Sequence, residues 1–239
     1  MNFEVSPYEL RFRFPGWAPR SGALVRWRDA QGVQRFGDLH PREEFGDPSL
    51  GAAVDRLRQF REGSGENLKI HNRMIDCSYA WPTESVPVHY LHWDGSPSAS
   101  LARAWELGIE TLKVKVWEHT ATEEIVALAR SNSRLKLRLD GPRAQGLVDD
   151  LREQMDFIED GICERSAWDG RDRLLPTDVA VVCKPLRDLP REKVKTGLRF
   201  VVTSSLNHPL GLAQAAGVAQ VYSVDSSEAH GVASHSVYE

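Results

Sequence analysis

The chain has 239 residues, 41% of them apolar, with 18 glycines and 13 prolines, enough for a sizeable core in one large domain or two small ones. Its 30 Lys and Arg stand against 34 Asp and Glu, a formal net charge of −4, which argues against a nucleic-acid binder built on clustered positive charge. The apolar content excludes a disordered chain, and no stretch approaches the ~18–20 uninterrupted apolar residues of a membrane span.

The opening MNFEVSPYELRF has no apolar h-region of a signal peptide. Cys77, Cys163 and Cys183 are too far apart for a metal-ligand pair and odd in number, which fits a reducing compartment. The expectation is a cytoplasmic protein whose partner is a small molecule, with neither nucleic acid nor membrane involved. Its oligomeric state is open, with a monomer as the working assumption.

Residues 1–82 read as an α+β unit. FEVSPYELRFRF, GALVRWRDAQG and VQRFGDL are short runs rich in Val, Phe, Leu and Trp, with Asp29 to Gly32 as a hairpin turn. Leu50, Ala53, Val54, Leu57 and Phe60 then fall on one helical face, with Asp47 as the N-cap and Gly63 as the stop. A second helix is predicted over roughly 67–80.

From residue 83 to 225 strands and helices alternate. The predicted strands are VHYLHW, TLKVKVW, RLKLRLD, MDFIED, VAVVCKP, RFVVTSS and a last one near VYSVD, with helices between most of them. Repeated βα units imply a parallel sheet, and polar residues at strand C-termini suggest a (β/α) barrel with its chemistry at that face. The stretch between MDFIED and VAVVCKP has no clear assignment; one reading makes SAWDGRDRLL a helix. Residues 226–239 are expected to return to the N-terminal unit.

Successive strand ends carry Lys113 and Lys115, Asp140, Glu159, Lys184, and Thr203 with Ser204 and Ser205. Lys113 and Lys115 are two apart and share one side of a strand. Each piece alone has an ordinary explanation: a solvated Lys-x-Lys face, or a helix N-cap for a lone carboxylate or a Thr-Ser-Ser run. Their order is harder to obtain from capping. Carboxylates on adjacent strands can hold a hard divalent cation, and lysines on opposite flanks can move protons once burial and neighbouring cations lower their pKa. The cation would stabilise an enolate formed next to a carboxylate. His89 and His92 lie on opposite faces of their strand, so a shared metal is not expected. Cys183 reads as a small strand residue, and the seven Trp form no stacking stripe.

In these residues the chain resembles the enolase superfamily, in its muconate-lactonizing-enzyme-like branch, and within it the o-succinylbenzoate synthase family. FGDLHPREEFGDPSL is similar to the family's G-E-x-x-P-x-x-x-F segment, TLKVKVW to its Lys-x-Lys strand, and LKLRLDGPRAQG to L-R-L-D-A-N-x-A. DFIEDG resembles F-I-E-x-P, VVCKPLRD the I-K-P strand, and FVVTSSLNHPLGLAQAA the segment V-I-S-S-x-x-E-S-x-x-G-L-x-x-L-A. The resemblance implies an α/β barrel with an α+β capping domain. It also implies dehydration of 2-succinyl-6-hydroxy-cyclohexadiene-1-carboxylate to o-succinylbenzoate in menaquinone biosynthesis, with Mg2+ as cofactor and Mn2+ as the alternative. Lys115 would be the base and then the acid, Lys113 its support, and Lys184 the cation facing the other side of the ring. Asp140 and Glu159 would ligate the metal. Ser204 and Ser205, with backbone N–H groups at the next helix start, would receive the succinyl carboxylate. GWAPRSG, with Arg20, would be the capping-domain loop that closes the site.

The sequence departs from that pattern between Glu159 and Lys184, where residues 160–183 are too few for a helix, a strand and another helix. The barrel is expected to be trimmed there. Asp169 is the first candidate for the third ligand, with Asp172, Asp178 or no carboxylate as alternatives. Pro142 replaces the Asn after the first Asp, Gly161 the Pro after the Glu, and Asn207-His208 the Glu-Ser. A trimmed barrel, an internal segment left out of the sequence, and a degenerate barrel without catalysis all remain open. So does a racemase or epimerase of N-acylamino acids or dipeptides using the same lysine pair.

Overall fold

The computed structural model describes residues 2–13, 16–43, 46–59, 74–76, 82–92, 95–117, 119–141, 147–151, 155–159, 175–176, 180–183, 199–204, 206, 208–222 and 227–233. The N-terminal strands β1 (Glu4–Leu10), β2 (Arg20–Arg28), β3 (Gln34–Leu39) and β4 (Met74–Asp76) form an antiparallel sheet in that order. The hairpin at Asp29–Gly32 forms as predicted. Gly32 N donates to Asp29 O at 2.9 Å, and Asp29 Oδ1 accepts from the amides of Gln31 and Val33, so the aspartate satisfies its own turn.

Helix α1 (Leu50–Gln59) buries Ala53 and Leu57 against Val25, Trp27 and Leu39 of the sheet, the face that the periodicity predicts. Its start differs from the prediction. Asp47 Oδ2 accepts from Arg42 N at 2.9 Å, and Ser49 takes the cap, its Oγ accepting from Ala52 N. Helix is also the wrong prediction for 74–76. Met74–Asp76 pairs with Leu39–Gly37 of β3, a non-local contact that overrides local pattern. The rest of the predicted second helix, with Phe60 and Gly63, lies outside the described residues.

The second unit alternates as expected: β5 (Tyr90–His92), α2 (Pro97–Glu106), β6 (Thr111–Lys115), α3 (Thr122–Arg130), β7 (Lys136–Asp140), α4 (Val148–Leu151) and β8 (Met155–Glu159). The four strands are parallel, in the order β5-β6-β7-β8. Strand alternation divides them into two faces. Leu112 and Val114 of β6 and Leu137 and Leu139 of β7 pack on Leu101, Ile125, Leu128 and Ala129 of the helices. Thr111, Lys113, Lys115, Arg138 and Asp140 therefore line the opposite, inner face. Ser96 Oγ caps α2 ahead of Pro97.

A second sheet holds β9 (Leu175–Pro176), β10 (Ala180–Cys183) and β11 (Arg199–Val202). The pair β10–β11 is parallel and β9 is antiparallel to β10; β9 has no counterpart in the sequence reading. The last helix, α5 (Pro209–Tyr222), extends through Val221 and Tyr222, where a strand is predicted. Tyr222 packs on Phe200 of β11 as part of the helix core, so its apolar character serves a helix face. The strand-like pairing falls later. His230 bridges in parallel to Val88 and Gly231 to Thr203, which joins β5 to β11. Thus, of the segment 226–239, expected to return to the N-terminal unit, His230 and Gly231 pass between the two sheets; residues 226 and 234–239 lie outside the described residues. No pairing among the described residues joins β8 to β9 or β10.

Candidate active site

Register brings the predicted site residues of the first sheet together. Lys115 pairs with Asp140, and Asp140 with Glu159, in one row across the C-terminal ends of β6, β7 and β8. Lys113, one inner-face position earlier, pairs with Leu91 and Arg138. The Asp140 carboxylate, 3% exposed, is the centre. Its Oδ2 lies 2.8 Å from Lys113 Nζ and also contacts Lys115 Nζ. Lys113 is 7% exposed and Lys115 18%, so Lys115 is the lysine within reach of a ligand. Its ammonium also lies 5.9 Å from the Trp117 ring centroid. A buried lysine is costly without a counter-charge, and Asp140 supplies one for both.

The chain turns away after Asp140 through Gly141, whose φ is +127°. A Cβ there would stand 2.5 Å from Val116 O, so only glycine lets β7 end against β6 in this way.

Below this row the inner face holds an ionic network that the sequence reading missed. Arg138 donates to Glu228 Oε1 at 2.5 Å and to Ala229 O, and pairs with His89 Nδ1 at 3.1 Å. Arg199 donates to both Glu228 oxygens, at 2.6 and 2.8 Å. His230 Nδ1 accepts from Val202 N at 3.1 Å. Burial holds the His230 pKa down to about 4, opposed by the Glu228 charge and aided by that of Arg138. Arg138 could have been found by the same alternation that finds Lys113 and Lys115; Glu228 and His230 had no local signal. His89 and His92 do face opposite ways, His89 to Arg138 and His92 to Ser100 Oγ of α2 at 2.8 Å.

At the end of β11, Ser204 N donates to Gly231 O at 2.8 Å and Ser204 Oγ accepts from Leu206 N at 3.4 Å. Leu206, at φ +57°, packs with Phe12, Leu10 and Leu91. Arg20, at the start of β2, stacks its guanidinium 5.1 Å from the Phe12 ring centroid, and Phe12 meets Trp17 at 5.3 Å. The loop with Arg20 is therefore tied through Phe12 to the segment that follows Ser204. The helix start is less open to an anion than expected. Pro209 has no N–H, and Leu210 N donates to His208 Nδ1 at 3.2 Å. Lys184, Ser205 and Asp169, with its alternatives Asp172 and Asp178, lie outside the described residues.

The donor set suits a hard divalent cation as far as it is described. Asp140 is a buried carboxylate, and register places Glu159 on the neighbouring strand. Among the described residues no group of three His, Cys, Asp or Glu is placed to hold a metal. No helix among them is long and apolar enough to cross a membrane.

The solved structures that the fold resembles are enzymes of the enolase superfamily, while the described strands here form separate sheets and no closed barrel. The o-succinylbenzoate synthase of Thermosynechococcus elongatus, solved with Mg in its active site, superposes with a TM-score of 0.69 at 17% identity, over 100% of this chain and 94% of that one. The L-Ala-D/L-Glu epimerase of Bacillus subtilis superposes with a TM-score of 0.68 at 14% identity, over 100% of this chain and 91% of that one. In sequence the chain resembles o-succinylbenzoate synthase. The protein of that name from Bdellovibrio bacteriovorus is 26% identical over 245 aligned residues, 84% of this chain and 73% of the relative. No protein-family model matches the chain.

Proposed function

We propose that the chain is a Mg2+-dependent dehydratase that converts 2-succinyl-6-hydroxy-cyclohexadiene-1-carboxylate to o-succinylbenzoate, a step of menaquinone biosynthesis. Its strands would form a trimmed (β/α) barrel, with the N-terminal unit as cap. The observation that carries the reading is the pair Lys113 and Lys115 on Asp140, with Glu159 next in register.

Lys115, in its unprotonated form, takes the proton from the carbon bearing the carboxylate. The bond to the 6-hydroxyl breaks, a ring double bond forms, and Lys115 returns the proton to the departing hydroxyl, which leaves as water. Lys113 holds the Asp140 carboxylate in place. Lys184, from the far side, would balance the charge that develops on the substrate. Asp140 and Glu159 would hold the cation, with Asp169 as the third candidate. When bound, Mg2+ or Mn2+ would orient the substrate carboxylate and supply positive charge beside it. Ser204 and Ser205 would meet the succinyl carboxylate, and Arg20 with its loop would cover it.

In this reading Lys115→Ala and Lys184→Ala each abolish formation of o-succinylbenzoate while circular dichroism is unchanged. Near-full activity in either variant overturns it. The second reading, a racemase or epimerase of N-acylamino acids or dipeptides, draws on the similarity to the Bacillus subtilis epimerase. Mg2+-dependent exchange of an amino-acid α-hydrogen for deuterium would select it. A folded protein that binds no Mg2+ would instead be a non-catalytic barrel that binds a carboxylate.

A further inference from the structure

A cluster outside the lysine site ties the N-terminal sheet to the start of α5. Tyr8 of β1 donates its hydroxyl to Asp38 Oδ1 at 2.6 Å and pairs with His40 Nδ1 at 2.8 Å. Asp38 and His40 are both fully buried. With its hydroxyl held at two points inside the protein, the Tyr8 ring has one orientation, and that ring lies 4.8 Å from the ring of His208. His208 in turn accepts from Leu210 N through Nδ1, while its own carbonyl accepts from Leu212 N at 3.0 Å. An imidazole thus does the work of a helix-capping oxygen, and it can do so only while Nδ1 carries no proton. Burial lowers the pKa of His208, in keeping with that state.

Three contacts therefore fix Ser204, Leu206 and His208. Ser204 N is held by Gly231 O, Leu206 packs on Phe12, and His208 is covered by Tyr8. Two of the three come from β1 and the residues just after it.

We infer that Tyr8 and His208 are positioning residues, which set the place of the segment after β11 for the distal carboxylate of the substrate. The inference rests on the dehydratase reading, because that reading puts the succinyl carboxylate at this segment. The effect should fall on the distal carboxylate alone and leave the ring carboxylate at the Asp140 side untouched.

Calorimetry of the full chain with Mg2+ separates the two, with o-succinylbenzoate and benzoate as probes. Wild type should bind o-succinylbenzoate more tightly. Tyr8→Leu and His208→Ala should each cut that preference roughly fivefold, as the loss of one positioned hydrogen bond does, with benzoate affinity within about twofold of wild type. Tyr8→Phe keeps its ring on His208 but loses the two contacts that orient it, and should lose less of the preference than Tyr8→Leu. An unchanged preference in His208→Ala overturns the inference, as does a parallel loss of benzoate affinity, which marks a merely structural role. A Tyr8→Phe loss as large as that of Tyr8→Leu overturns the ring contact as the positioning element. Should Tyr8→Leu fail to fold, His208→Ala decides. If wild type shows no preference, the dehydratase reading itself falls and takes the inference with it.

Discussion

Glu228→Gln tests the inner-face network. The Glu228 carboxylate accepts charged hydrogen bonds from Arg138 Nη2 at 2.5 Å and from Arg199 Nε and Nη2 at 2.6 and 2.8 Å. Arg138 is 1% exposed, so its guanidinium has no access to water when the negative charge is removed. The amide oxygen can accept one of these bonds, but the amide NH2 then faces a guanidinium. Leaving a buried ion uncompensated costs about 3–5 kcal/mol. Arg138 retains its contacts with Ala229 O and His89, which places the loss near the lower bound, at about 3 kcal/mol. In urea that is a midpoint shift of about 1 M. Arg199 is 36% exposed, and Arg199→Ala should cost no more than about 1 kcal/mol. The double variant Arg138→Met/Glu228→Leu should recover much of the loss, because it removes the stranded charge with its partner. The reasoning is refuted if Glu228→Gln unfolds at the wild-type urea concentration, or costs less than Arg199→Ala.

The His230 pKa of about 4 gives a pH signature. Between about pH 4 and the ordinary histidine value of about 6.5 the unfolded chain binds the extra proton. Stability is therefore full above pH 6.5 and falls on acidification to pH 4, by up to about 3 kcal/mol; His230→Asn should flatten urea midpoints in this window, and an identical slope would exclude the histidine as its source. Asp140→Asn should weaken Mg2+ binding by calorimetry at least tenfold and lower the melting temperature, since Lys113 and Lys115 lose their common counter-charge. Retained Mg2+ affinity would remove Asp140 from the ligand set. Gly231→Ala would place a Cβ 2.7 Å from His89 Nε2 and 3.0 Å from Thr203 Cγ2, an overpacking cost of about 1–3 kcal/mol in a denaturant titration.

The inner face was legible where a two-residue period or a strand end decides it. Lys113 and Lys115 follow from alternation and Asp140 from its place at a strand end, and the parallel register then makes Lys115, Asp140 and Glu159 neighbours. The hairpin at Asp29 was equally legible, because the aspartate folds its own turn. Where a contact comes from elsewhere in the chain, the local pattern failed. Met74–Asp76 is a strand because β3 offers an edge. Asp47 leaves the α1 cap to Ser49 because its carboxylate is engaged by Arg42 N. Tyr222 stays helical because Phe200 lies beneath it, and Val221 follows in the same helix with its side chain exposed. Glu228 was invisible for the same reason, since its two arginines lie 90 and 29 residues away. The helix start after Ser204 looked like an anion site by motif, yet His208 already occupies the Leu210 amide.

The bridges of His230 to Val88 and of Gly231 to Thr203 bear on the order of assembly. During synthesis β5 through β8 can pair as they emerge, each strand finding a neighbour made shortly before it. The seam between β5 and β11 has to wait for residues made well after β8. Until then the inner side of Arg138 lacks Glu228, and the edge of β5 is open to other chains. Aggregation of nascent chains should therefore depend on how quickly residues 228–231 are delivered, and synonymous codons in that short stretch would influence yield without altering a single side chain.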